Sequence, residues 1–218
     1  MFIGHWAPAF AAAAISPRAP KLGTLFVAAQ LVDWCFAILA IVGIEKLRIV
    51  PGITVMNSMD LYHMPYTHSL LGSVIWAAGF ALIILILQKN FVGALIAGAV
   101  VVSHWFLDLL VHRPDLTLAG SPPPMGLGLW NYPFIEIPLE LGITVGAFIW
   151  YVRRTRGPIM PPMILMALLL IFQAASWFGP QPTQVGPLLY LAGMATFGVI
   201  TFFTYWVGTT RRHKRQRG

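Results

Sequence analysis

Ser103-His104-Trp105-Phe106-Leu107-Asp108-Leu109-Leu110-Val111-His112-Arg113-Pro114 closes an apolar run that begins near Phe91. A run of this length, ended by a proline, predicts a membrane-crossing helix that stops just before Pro114. His104, Asp108 and His112 fall at i, i+4 and i+8, so all three project from one face. Imidazole and carboxylate are the ligand types that a catalytic zinc or similar divalent ion takes. An ionisable group in a membrane helix is costly and is a functional candidate by default; here three align. The competing reading is a helix end where polar groups meet water and headgroups.

Composition sets the class. With 58% hydrophobic and 10% charged residues, the chain reads as an integral membrane protein and not as a soluble domain. Its one cysteine, Cys35, lies inside an apolar run, which excludes an internal disulfide and argues against a cysteine metal site. The net charge of +7 invites a nucleic-acid partner. The basic residues instead gather in flanks and tail, as the membrane reading requires, so no nucleic acid is expected.

The expected fold is all-α: a polytopic helical bundle with about six transmembrane helices and a short, half-buried N-terminal helix. One integral membrane domain covers residues 1–218, with spans near 22–44, 66–87, 91–110, 134–150, 163–178 and 188–207 and a basic tail at 211–218. Residues 1–15 are apolar but short, about 20 Å as a helix. They either dip into the bundle with His5 or lie on the membrane surface. Asp33 stands at the centre of the first span, where a lone carboxylate needs a cavity, a metal or a partner. Pro65 suits the first turn of the second span, which puts His68 in that turn and His63 just before it. Residues 120–131, rich in proline and glycine yet apolar, read as a lid over the bundle end. Glu136 and Glu140 open the fourth span.

Lysine and arginine fix the expected orientation. Eleven of the 14 fall on the side shared by residues 18–21, the 88–90 turn, the 153–156 loop and the tail; Lys46, Arg48 and Arg113 occupy the other. The positive-inside rule makes the richer side cytoplasmic, together with the C-terminus. His63, His68, His104, Asp108, His112, Glu136 and Glu140 then converge on the outer half of the membrane, with Asp33 deeper. Scattered helix-end residues would have divided between the two faces.

These residues also carry a resemblance. Gly4-His5, the intramembrane Asp33, His63-x-x-x-Thr67-His68-Ser69 and Ser103-His104-x-x-x-Asp108 together resemble a bacterial inner-membrane family of predicted metal-dependent hydrolases. The signature is also similar to that of zinc-dependent phospholipase C, a helical phosphoesterase. The resemblance covers about residues 4–130 and implies a divalent cofactor, zinc first, held by His68, His104, Asp108 and Asp33, with His63 and His5 next. His112 is either a further ligand or a helix-end histidine. Where that family has an aspartate pair, only Asp33 stands here, and Glu140 or Asp60 would substitute.

A divalent ion so held lowers the pKa of a bound water to about 7 and polarises a phosphoryl or acyl oxygen. Glu140 or Asp60 would handle the proton. A site at the outer half of the bacterial cytoplasmic membrane implies an amphiphilic substrate, a lipid phosphate or ester, so membrane lipid is the expected partner. Two other readings stand beside this one. One is an accessory subunit bound to a membrane-protein complex; the other is a transporter using Asp33, Glu136 and Glu140.

Overall fold

A computed structural model describes residues 1–214. Among these residues six helices are long and apolar enough to cross a membrane, and a short apolar helical segment, Ile3–Ile15, precedes them. That segment is a 3-10 turn, Ile3–Trp6, continued by α1, Ala7–Ile15. The spanning helices are α2 (Leu22–Ile41), α3 (Leu70–Gln88), α4 (Phe91–Val111), α5 (Pro133–Arg154), α6 (Met160–Phe178) and α7 (Pro187–Thr210). Two antiparallel ribbons join them: β1 (Lys46–Ile49) with β2 (Met59–His63), and β3 (Thr155–Arg156) with β4 (Arg212–His213). The spanning faces turned outward are apolar, with Ile75, Leu82, Ile86, Ile171 and Leu188 exposed, as lipid-facing helices require.

The N-terminal segment is no surface helix and is more than half buried. Ile3, Trp6, Ala9, Phe10 and Ala14 have no exposure, and the Trp6 indole N–H donates to the Phe26 carbonyl at 3.2 Å. Its alanines let α1 lie close against α2 and α5. Phe10 meets Phe26, Phe148 and Tyr151 edge-on or tilted, which fills the bundle on the side of the basic loops.

The second span starts later than the proline predicts. Tyr66 and Thr67 give their N–H groups to Glu45 Oε1 at 2.8 and 3.0 Å, which holds residues 65–69 in a turn. Helix α3 begins only after Ser69, whose hydroxyl accepts the Gly72 N–H as an N-cap. Asn90 caps α4 in the same way and also donates to the Arg18 carbonyl, fixing the tight α3–α4 turn.

The polar first loop is the β1–β2 hairpin. Leu47 and Leu61 point inward and pack with Phe36, Met64, Trp105 and Leu116, forming a second apolar cluster at this end of the bundle. At the opposite end, the first part of the tail is docked and not free. The buried Arg211 guanidinium donates to the carbonyls of Val152, Thr155, Gly157 and Pro158 and to the Thr155 hydroxyl. These acceptors lie just where α5 runs out of intrahelical donors. The rest of the predicted basic tail, 215–218, lies outside the described residues.

Candidate metal centre

Asp33 is eight residues short of Ile41 on α2, about 12 Å below that end at 1.5 Å per residue. Its Oδ2 accepts the side-chain amide of Gln30, one turn earlier on the same helix. Its Oδ1 then faces His68 Nε2 at 3.3 Å and His104 Nε2 at 3.5 Å. Asp108, one turn after His104 on α4, is divided in the same manner. Oδ1 accepts from the Met1 nitrogen at 3.1 Å and has His5 Nε2 at 3.0 Å. Oδ2 lies 3.1 Å from His104 Nε2 and 3.6 Å from His68 Nε2.

Hydrogen bonds on the far side of each ring decide what those Nε2 atoms carry. His104 Nδ1 is 2.8 Å from the Ala29 carbonyl, which can only accept, so Nδ1 holds the proton. His68 Nδ1 meets the Thr67 hydroxyl at 2.8 Å, and that hydroxyl donates its own proton to Glu45 Oε2 at 2.6 Å. The Thr67 oxygen is therefore the acceptor and His68 Nδ1 the donor. When neutral, each ring turns a bare Nε2 lone pair toward carboxylate oxygens, the tautomer that an outer acceptor imposes on a metal-binding histidine.

With both rings neutral, four electron-rich atoms face one another around the inner end of the cavity. A proton shared along each contact would be the ordinary remedy. However, His104 Nε2 and Asp108 Oδ2, 3.1 Å apart, make no aligned hydrogen bond, and neither has another partner. Ligands about 2.0–2.1 Å from a tetrahedral ion lie about 3.3 Å from each other. The four His–Asp edges, 3.1 to 3.6 Å, bracket that spacing. By donor type and by these contacts the residues fit a divalent ion of the zinc type, Asp33, His68 and His104 forming one close set and His5, His104 and Asp108 another.

Of the residues singled out from sequence, His5, Asp33, His68, His104 and Asp108 come together. His5 stacks on His104 with ring centroids 3.7 Å apart and bears on the outer oxygen of Asp108, so it braces a ligand. His112 joins them: Nδ1 is 2.9 Å from Asp115 Oδ1, Nε2 is 3.6 Å from Asp108 Oδ1, and its ring lies against Trp130. It is buried, not a solvated helix-end histidine.

His63 and Asp60 do not join. In β2, Asp60 and Leu61 are buried while Tyr62 and His63 at its end are exposed; Asp60 pairs with Arg48 across the hairpin and with Arg113. Both Asp60 oxygens are taken by guanidinium groups, which makes it a clamp between hairpin and α4. Glu140 lines the cavity, but its oxygens are engaged. Oε1 accepts the N–H groups of Phe2 at 2.6 Å and Gly4 at 2.9 Å, and Oε2 accepts the Gln173 amide at 3.0 Å. Gly4 is needed for this approach, since a Cβ there would lie 3.2 Å from Glu140 Oε1 and 2.7 Å from Met1 Sδ. Glu136, one turn earlier, is buried on the same cavity with Oε2 unpartnered.

The cavity holds about 230 Å³ and is lined by His5, Asp33, His68, Asp108 and His112 of the cluster, by both glutamates and by Gln173. Its cover is shared. Only Trp130 of the 120–131 loop reaches it, because Leu127 and Gly128 are bonded back to the end of α4. At Gly126 a Cβ would strike the carbonyls of His112 and Arg113, so that stretch lies flat on α4. Met56 and Asn57 of the hairpin loop supply the other half, joined through the Met56 N–H to the Trp130 carbonyl at 3.1 Å. A wider groove of about 800 Å³ opens outside Met56, Asn57 and Trp177.

Residues 2–180 match the family described as YdjM inner membrane protein. No curated protein and no solved structure matches the chain.

Proposed function

The chain belongs to the YdjM inner membrane protein family and is a multi-pass protein of the bacterial inner membrane; from that premise we propose that it is a metal-dependent hydrolase of amphiphilic lipid phosphates or esters. The observation that carries this reading is the set of two histidine Nε2 atoms and two carboxylate oxygens joined by His–Asp contacts of 3.1 to 3.6 Å, at one end of a cavity. His68, His104, Asp33 and Asp108 would hold the ion. When bound, a divalent ion supplies an activated water at neutral pH and polarises the oxygen of the bond to be cleaved.

The chain's own groups divide the remaining tasks. Glu45, Thr67 and the Ala29 carbonyl keep the two histidines in the ligating tautomer. His5 and Gln30 orient the two aspartates from behind. Glu136, with a free buried oxygen, takes and returns the proton in place of the fully engaged Glu140. Transport is disfavoured by the packing of Trp6, Phe10, Phe26, Phe148 and Leu169, which are buried in the core on the side of the basic loops. The test is ion analysis of detergent-purified protein, with release of phosphate or fatty acid from a lipid panel before and after chelation. Release that persists in the ion-free protein would overturn the reading.

Thr67→Val keeps the shape of the side chain but removes the acceptor of His68 Nδ1. The ion affinity is expected to fall about 10–100-fold, the usual cost of losing an outer partner of a ligating histidine. Competition with a chromophoric chelator measures it, and an unchanged affinity would detach Thr67 and Glu45 from the site.

Orientation is proposed from the charge bias, with the hairpin end and the site outward. Val55, exposed in the hairpin loop, and Arg153, exposed at the end of α5, lie at opposite ends. In spheroplasts an impermeant maleimide should label Val55→Cys and spare Arg153→Cys, with buried Cys35 silent. The reverse pattern would place the site on the cytoplasmic side.

A further inference from the structure

The cavity has a second neighbour besides the water-side groove. Between α6 and α7 runs a slot of about 270 Å³, walled by Phe172, Ala175 and Ser176 on one side and Gly193, Thr196 and Phe197 on the other. Phe2 is its floor. Phe2, Ser176 and Phe197 also line the metal cavity, so the two spaces adjoin across these three side chains.

The slot runs along the looser half of α7, where Leu189, Tyr190 and Phe197 rest on the bundle without being fully buried. The buried residues of α7 are Ile200, Thr204 and Val207, all in the half toward Thr210. From Pro187 to Val199 nothing is buried, and Leu188, Leu191 and Val199 are open to the surroundings. This is the half of the helix at the level of the site, so in a bilayer the slot would open toward hydrocarbon in the leaflet that contains the cavity. An α-helix, 10–12 Å across with its side chains, is too thick for a space of this size, whereas a single hydrocarbon chain is not.

We propose that the α6–α7 slot seats an acyl chain of a membrane lipid whose polar end occupies the metal cavity, so that substrate enters sideways from the bilayer. Cleavage of the seated lipid rests on the hydrolase reading, but the seat itself is independent of turnover. A lipid held in this way keeps its chain in hydrocarbon and brings only its head past Phe2 and Phe197. No apolar chain needs to cross water to reach the histidines.

The experiment uses the full chain in vesicles of phosphatidylethanolamine and phosphatidylglycerol doped with a phospholipid carrying a diazirine near its acyl terminus. After irradiation, adducts are located by peptide mass spectrometry. They are expected on 172–176 and 193–197 in excess of those on the lipid-facing residues of α3, such as Ile83 and Ile86. Gly193 has open space where a Cβ would stand, so Gly193→Trp fills the slot without striking the backbone. It should abolish the slot adducts and leave those on α3 unchanged; Ala175→Trp tests the same from the opposite wall. Ion content and thermal stability of both variants verify the fold. Adducts spread evenly over α3, α6 and α7, or unaffected by both tryptophans, would overturn the proposal. So would crosslinking of the slot to another membrane protein in native membranes. Slot adducts without hydrolysis would leave the seat standing and remove the hydrolase; hydrolysis of a short-chain soluble ester without slot adducts would do the reverse.

Discussion

His104→Ala is expected to remove the ion and the hydrolytic activity together. His104 is shared between both aspartates, with Nε2 3.1 Å from Asp108 Oδ2 and 3.5 Å from Asp33 Oδ1. Its loss would delete one of the four proposed ligands and open a hole beside the stacked His5 ring. The effect on affinity should exceed the about 10–100-fold attached to outer partners, because a direct bond is lost. If the ion activates the water, kcat should collapse and excess substrate should not restore it, since substrate binding is not what was removed. His63→Ala and Asp60→Asn are the controls. His63 is exposed, so its truncation should leave ion content unchanged. Asp60→Asn should lower thermal stability by loosening Arg48 and Arg113, again with the ion retained. Elemental analysis beside lipid hydrolysis separates these outcomes. Equal ion content in wild type and His104→Ala would end the metal assignment.

What was legible in the sequence was legible because it is local. His104 and Asp108 share a face by helical periodicity alone, and Asp33 drew notice because a carboxylate at mid-membrane needs a reason. The parts that escaped are held across long separations. Glu45 reaches Thr67 over 22 positions, and Asp60 reaches Arg113 over 53. No periodicity announces such pairs. The hairpin escaped for another reason: four residues, Lys46–Ile49, offer too little alternation to distinguish a strand from a polar loop. Missing it left Asp60 beside His63 as candidates, when the strand sends one inward to arginines and the other to the surface. The position of Pro65 predicted a helix start that Glu45 overrides by taking the N–H groups of Tyr66 and Thr67. At the other end, Arg211 looked like one charge in a basic run, and only the carbonyls at the end of α5 make it an anchor.

Glu140→Gln is expected to destabilise the fold strongly, and a second change should repair it. Glu140 Oε2 accepts the Gln173 amide, while Gln173 Oε1 accepts the Ile3 N–H at 3.1 Å. Glu140→Gln turns an amide donor toward that amide donor. Rotating Gln173 by half a turn relieves the conflict only by aiming its N–H₂ at the Ile3 N–H. Either way a buried donor is stranded, at a cost of about 1–3 kcal/mol, and the loss of charge weakens the bonds from Phe2 and Gly4 further. The N-terminal segment should loosen, and His5 with it, lowering the melting temperature and secondarily the ion affinity. Glu140→Gln combined with Gln173→Glu restores every donor–acceptor match. The new amide donates to the new carboxylate and still accepts from Phe2 and Gly4, while the carboxylate accepts from the Ile3 N–H. The double variant should therefore recover most of the lost stability and ion binding. A proton-transfer role for Glu140 predicts otherwise: Glu140→Gln would stay stable and ion-loaded but slow, and moving the carboxylate to α6 would not bring the rate back. Melting curves and turnover of the two single variants and the double variant decide between them. Recovered stability with recovered turnover identifies Glu140 as the latch that holds the N-terminal segment over the cluster, and leaves the proton to Glu136.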